Sequence, residues 1–141
     1  MSENVGKQEN LRFDGVKFFS VHFNVQGKSS NDDSDIKLDI KPSVNFYKES
    51  KNKFDIVYNV ELGIENVFEL GLTAVGYFQL SDDVYDNENI REQLIHSNAP
   101  AIVFPYIRSF ISMFSSNLGT IPTLTIPTHF FKGKLEEYNL E

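Results

Sequence analysis

The chain has 141 residues with 13 Lys and Arg against 20 Asp and Glu, a formal net charge of −7, and no cysteine. That length suits one domain with one core, and 13 Phe and six Tyr supply its bulk. The acidic balance argues against a phosphate-backbone partner, and the lack of cysteine excludes disulfides, thiolate chemistry and cysteine–zinc sites.

Met1 to Asn10 is polar, without the apolar core of a secretory signal, and reads as a frayed tail. From Val16 to Val25 the apolar residues Phe19, Val21, Phe23 and Val25 recur at period two, the pattern of a strand with one buried face, while Phe18 adds an aromatic to the other face. Gln26 to Asp35 is a Gly/Ser/Asn/Asp loop. Ile36, Leu38, Ile40, Val44 and Phe46 share one parity and make a second strand, in which Pro42 marks an edge or a bulge. Phe54 to Ile64 alternates as a third strand, Glu65-Asn66 forms a tight hairpin turn, and Val67 to Leu80 returns as a fourth. Gly71 and Gly76 within it point to a bulge or a close backbone approach.

An acidic loop with several possible N-caps, Ser81 to Asn89, leads to a short helix ending near His96. Asn98 is expected to cap the next helix, with Pro100 in its first turn. Val103, Ile107, Phe110, Ile111, Phe114 and Leu118 line one face of that helix, Arg108, Ser109, Ser112, Ser115 and Ser116 the opposite one, and Gly119 ends it. Ile121 to Thr128 is extended and stiffened by Pro122 and Pro127, and Phe131, Leu135 and Tyr138 fall at the spacing of a last helix. The expected class is α+β: a four-stranded antiparallel sheet covered by two main C-terminal helices, in a single domain over 1–141. The longest apolar run, Ala99 to Ile107, holds two prolines and is far below the about 18 residues of a membrane span. A cytoplasmic protein with no nucleic-acid partner and no stable membrane insertion is the expectation.

Few residues suggest catalysis. His22, His96 and His129 have no mutual metal-ligand spacing, so no metal and no cofactor is expected. Asp82, Asp83, Asp86, Glu88 and Glu92 read as first-turn acids that favour a helix dipole, without calcium-loop spacing. The serines are not in a nucleophile elbow, and their stripe is either solvated or an oligomer contact. The reading is a non-enzyme. The apolar connector Ile121, Leu124, Ile126 is either a lid over core or the wall of a groove.

Three spaced signals narrow the reading: Phe104-Pro105-Tyr106-Ile107-Arg108, then Gly119-Thr120-Ile121-Pro122-Thr123-Leu124, then Pro127-Thr128-His129-Phe130. They resemble the C-terminal half of the SecB family of bacterial export chaperones, which reads Phe-Pro-Tyr-x-Arg, Gly-Thr-x-Pro-x-Leu and Pro-x-Asn-Phe. The order of elements is similar too, over Val16 to Leu140, and Val75-Gly76-Tyr77-Phe78 and Ile36 to Ile40 resemble the family's fourth and second strands.

The resemblance implies an ATP-independent holdase, a tetramer built as a dimer of dimers, that binds unfolded precursor chains along apolar grooves and passes them to the SecA motor. It places client contact at Ile121, Leu124, Ile126, Phe130 and Phe131. It gives Phe104, Pro105, Tyr106, Arg108, Gly119, Pro122 and Pro127 a structural part. Two departures stand out. The loop Ser29 to Asp35 lacks the family's aromatic, and the family's motor-docking acids meet Phe18, His22 and Ile64 here, with only Glu65 acidic nearby. A second branch of the family, a chaperone dedicated to one partner such as an antitoxin, therefore stays open. So does a non-chaperone α+β oligomer that binds a small ligand or one protein.

Overall fold

The computed structural model describes residues 10–27, 36–127 and 133–140. Period-two alternation becomes four antiparallel strands: β1 (Leu11–Val25), β2 (Lys37–Tyr47), β3 (Lys53–Ile64) and β4 (Phe68–Leu80). Helices α1 (Asp82–Tyr85), α2 (Glu88–Gln93) and α3 (Ala99–Ser116) follow, then a short strand β5 (Glu136–Leu140). The sheet order is β1-β4-β3-β2-β5. The expected tail, apart from Asn10, and Lys28 to Asp35 of the first loop lie outside the described residues.

One face of the sheet packs on α3. In β3, Phe54, Ile56, Tyr58, Val60 and Leu62 are buried, and in β4 so are Phe68, Leu70, Leu72, Ala74, Phe78 and Leu80. These two strands pair in register, Phe54 with Phe78 through Leu62 with Leu70, so their alternations coincide. From α3, Ala99, Val103, Phe104, Ile107 and Ile111 complete the core. Gly76 is what lets α3 sit so close, because a Cβ there would collide with the Val103 side chain. The hairpin turn falls where expected, with Asn66 in the left-handed region at φ 68°.

Four expectations are corrected. First, β1 starts at Leu11, and it changes parity twice. Register shifts between Phe13 and Val16 and between Phe18 and Ser20 are β-bulges, and each inserts a residue that turns the following side chains over. Phe18 therefore faces the helix and stacks on Phe110, while Phe19 is 62% exposed. Second, α2 does not stop before α3. It continues through a π turn over Leu94–Asn98, and Asn98 is itself helical with no capping bond. Third, Ser115 is not on a solvated stripe but is buried under the connector that follows α3.

Fourth, the expected last helix is absent over Glu136–Leu140: those residues pair with β2 in parallel, Ser43 with Glu136 to Tyr47 with Leu140. Gly133, at φ 82°, breaks the helical path ahead of them, and the unpaired edge of β2 past Pro42 offers backbone partners that an isolated helical turn lacks. Among the described residues the sheet thus has five strands, and one long helix covers it.

Candidate functional site

Helix α3 organises the surface. Its inner face is sealed against the sheet; its two flanks are not. On one flank the connector returns along the helix, fastened by side chains of α3. The Arg108 Nε–H donates to the Ile126 carbonyl (2.8 Å), the Ser112 hydroxyl to the Leu124 carbonyl (3.0 Å), and the Leu124 N–H to Ser115 Oγ (2.7 Å). Gly119, at φ 77°, makes the reversal that starts this return. Between helix and connector lies an open groove of about 500 Å³, lined by Arg108, Ser109, Ser112, Met113, Thr123 and Ile126.

The other flank faces β1 and is aromatic. Phe18 stacks on Phe110 at 4.4 Å, Phe110 on Phe114 at 5.8 Å, and Phe23 meets Phe114 edge-on at 5.8 Å. Phe13 contacts Tyr106 at 5.5 Å. These rings are only partly covered, and the seam continues into solvent at Tyr106 (49% exposed), Val21 and Val25. Met113, 65% exposed, stands on the ridge between seam and groove. A contiguous strip of large apolar side chains left open in this way marks a contact surface.

The sequence-derived site residues divide. Leu124 and Ile126 turn into the core and are buried; Ile121 is partly buried; Phe130 and Phe131 lie outside the described residues, as does His129. The connector is thus a lid by its side chains and a groove wall by its backbone. Among the motif residues, Phe104 is buried, Pro105 and Tyr106 are exposed, and Pro122 and Pro127 are exposed along the connector. The rings of Phe110, Phe114 and Phe23 were read from spacing as core alone; their half-open state depends on β1 being an edge strand, which period cannot show.

Sequence reading also missed a polar cluster. Glu92 and His96 lie four residues apart, and β5 brings Glu137 to them: His96 Nε2 is 2.8 Å from Glu137 and 3.6 Å from Glu92. The i, i+4 spacing of Glu92 and His96 was the available signal. The Leu135 N–H donates to His96 Nδ1 (2.9 Å), which leaves the ring proton on Nε2 and aims it at Glu137. Both ring nitrogens are thereby committed, and a metal at Nε2 would need the opposite tautomer. On the far face of the sheet, the Tyr47 hydroxyl donates to the buried Asp55 carboxylate (2.5 Å). Burial pushes Asp55 up, against the lowering effect of that bond, and burial with the bond to Asp55 pushes Tyr47 up to about 12.

No family model matches the chain. An uncharacterized protein of Methanocaldococcus jannaschii is 26% identical over 97 residues, a match covering 65% of this chain and 60% of that protein. In three dimensions the chain resembles the Mycobacterium tuberculosis SecB-like chaperone Rv1957, a structure in complex with a ChAD peptide from the HigA1 antitoxin. The TM-score is 0.69 at 14% identity, over 94% of this chain and 100% of that one. The fold is SecB-like. The α+β class expected from the periodicity and order of elements holds. Within the SecB-like fold, Phe104 and Arg108 occupy α3, and Gly119, Pro122 and Pro127 shape its connector. The positions compared with motor-docking acids differ in kind: Phe18 turns inward to the helix, and His22 covers Gly71, where a Cβ would strike its ring. No helix among the described residues is long and apolar enough to cross a membrane.

Proposed function

We propose that this protein is a polypeptide-binding chaperone, a holdase that keeps non-native chains from aggregating without ATP. The observation that carries the reading is the aromatic seam along α3 with Met113 on its ridge, an apolar strip left open in a SecB-like fold. Ile126 lines the groove on the connector side, and by the family resemblance Ile121, Leu124, Phe130 and Phe131 join it in client contact. Burying ~500 Å² of a client's apolar surface is worth roughly 12 kcal/mol gross at ~25 cal/mol per Å². Ordering the client cancels much of it, so affinity is moderate and selectivity low.

The chain acts as a homo-oligomer, a tetramer by the family resemblance. Strand β1 supports this: among the described strands it pairs only with β4, and such a long edge invites a second chain. Several strips on one particle then add avidity.

A second reading is a chaperone dedicated to one partner, such as an antitoxin. The antitoxin peptide in the Rv1957 structure favours it, as does the departure at the motor-docking positions, which weighs against SecA and a general export role. Light scattering after size-exclusion, alone and with a chemically unfolded client, tests the proposal. It predicts an oligomer that co-elutes with the client; a monomer that ignores every client contradicts it. General protection of unfolded proteins favours export, and rescue of a single partner favours the dedicated branch.

A further inference from the structure

Strand β5 is weakly built into the sheet. It adds five parallel pairs to β2, a pairing slightly less stable per residue than an antiparallel one. All five of its residues are exposed. It covers only Ser43–Tyr47; among the described residues no strand covers the β2 edge from Lys37 to Pro42. Three features hold it: the Leu135 side chain, 8% exposed; the buried His96 imidazole, which receives the Leu135 N–H and donates to Glu137; and the solvent-exposed Lys134 ammonium, 3.2 Å from Glu92.

The inner side chains of β5 reach a charged cleft. Glu137 and Asn139 help line a space of about 370 Å³ together with Lys48, Lys51, Arg91 and Tyr85. Lys51 and Arg91 lie over the Tyr85 ring at 4.9 and 5.0 Å, which fixes them at the cleft wall. Three cations and two carboxylates, Glu92 and Glu137, line it; Arg91 lies 3.8 Å from Glu92, while Lys48 and Lys51 have no carboxylate within ion-pair distance among the described residues. The Glu92 carboxylate at the end of this cleft is met by Lys134 Nζ at 3.2 Å and His96 Nε2 at 3.6 Å, so the cations left for an incoming acid are those on the Asn139 side.

We propose that β5 is an exchangeable strand, and that the β2 edge beneath it is a docking site for an extended acidic segment of a polypeptide partner. This deepens the polypeptide-binding reading and rests on it. The occupant is argued from β5 itself. A replacement must be extended, so that its backbone continues the ladder. It must place a carboxylate where Glu137 stands, to receive the His96 Nε2–H. Further acidic side chains at the Asn139 position find Lys48, Lys51 and Arg91. By occupying the edge with a short strand of modest stability, the chain keeps it from pairing indiscriminately while leaving it open to a better-matched segment.

The test uses the full chain with Asn45→Cys and Tyr138→Cys, a directly paired couple on β2 and β5 in a protein without native cysteine. Oxidation locks β5 in place; dithiothreitol frees it. The probe is a fluorescein-labelled peptide copying residues 134–140, read by anisotropy. The reduced protein should bind it at least about tenfold more tightly than the oxidised one, and a peptide carrying Glu137→Lys should bind about tenfold more weakly. Equal binding in both redox states, equal binding of the two peptides, or no binding by the reduced protein overturns the exchange. Holding of a cysteine-free unfolded client is measured alongside. If the oxidised protein still holds the client while no form binds the peptide, strand exchange falls and the chaperone reading stands. If no form holds either one, both fall.

Discussion

Ser115 carries more structure than its size implies. Its side chain is 1% exposed, accepts the Leu124 N–H and lies 3.3 Å from the Ser112 carbonyl. Removing the oxygen leaves a buried N–H without a partner, which costs about 1–3 kcal/mol. Ser115→Ala should therefore lower the unfolding free energy by that amount in a denaturant titration, whereas Ser116→Ala, exposed and bonded only to its own helix at the Met113 carbonyl, should stay within about 0.5 kcal/mol. A shift of equal size in the two variants would contradict the fastening of the connector to α3. The two serines are neighbours and were read as one polar stripe. Helical spacing places a residue on a face, but it does not say what returns to cover that face. Arg108 shows the same limit: its place on the polar face of the helix was legible, its carbonyl partner at Ile126 was not.

At the scale of elements, legibility followed the range of the interactions. Strands β3 and β4 and the turn at Asn66 were readable because local alternation and a tight hairpin specify them. The β1 bulges, the π turn at Leu94–Asn98 and the pairing of β5 were not, since each depends on a distant partner. Residues 136–140 show this most clearly: the apolar positions Leu135 and Tyr138 suited a helix, yet the backbone found the open edge of β2. Gly76 was readable as a close approach, and α3 is what approaches. Its replacement tests how tightly helix and sheet are layered. Gly76→Val should cost about 1–3 kcal/mol through overpacking against Val103. An unchanged midpoint would mean that α3 rides farther from the sheet than its packing here requires.

For the whole molecule, the fold class was legible from three motifs and the element order, and the SecB-like likeness bears it out. The candidate strip was legible only in part. Motif positions led to the connector, but its Leu124 and Ile126 side chains are buried, and the open apolar surface lies instead on the flanks and ridge of α3. The measurement that bears most directly on function is client holding by a variant whose exposed strip is made charged: Tyr106→Glu with Met113→Glu, both positions at least half open to solvent or nearly so (49% and 65%). Suppression of aggregation of a chemically unfolded client is read alongside thermal melting and mass by light scattering. With melting and mass unchanged, affinity for the client should fall by at least about tenfold, since two desolvated apolar contacts are each worth 1 kcal/mol or so. Full protection by the doubly charged variant would contradict a client path along α3.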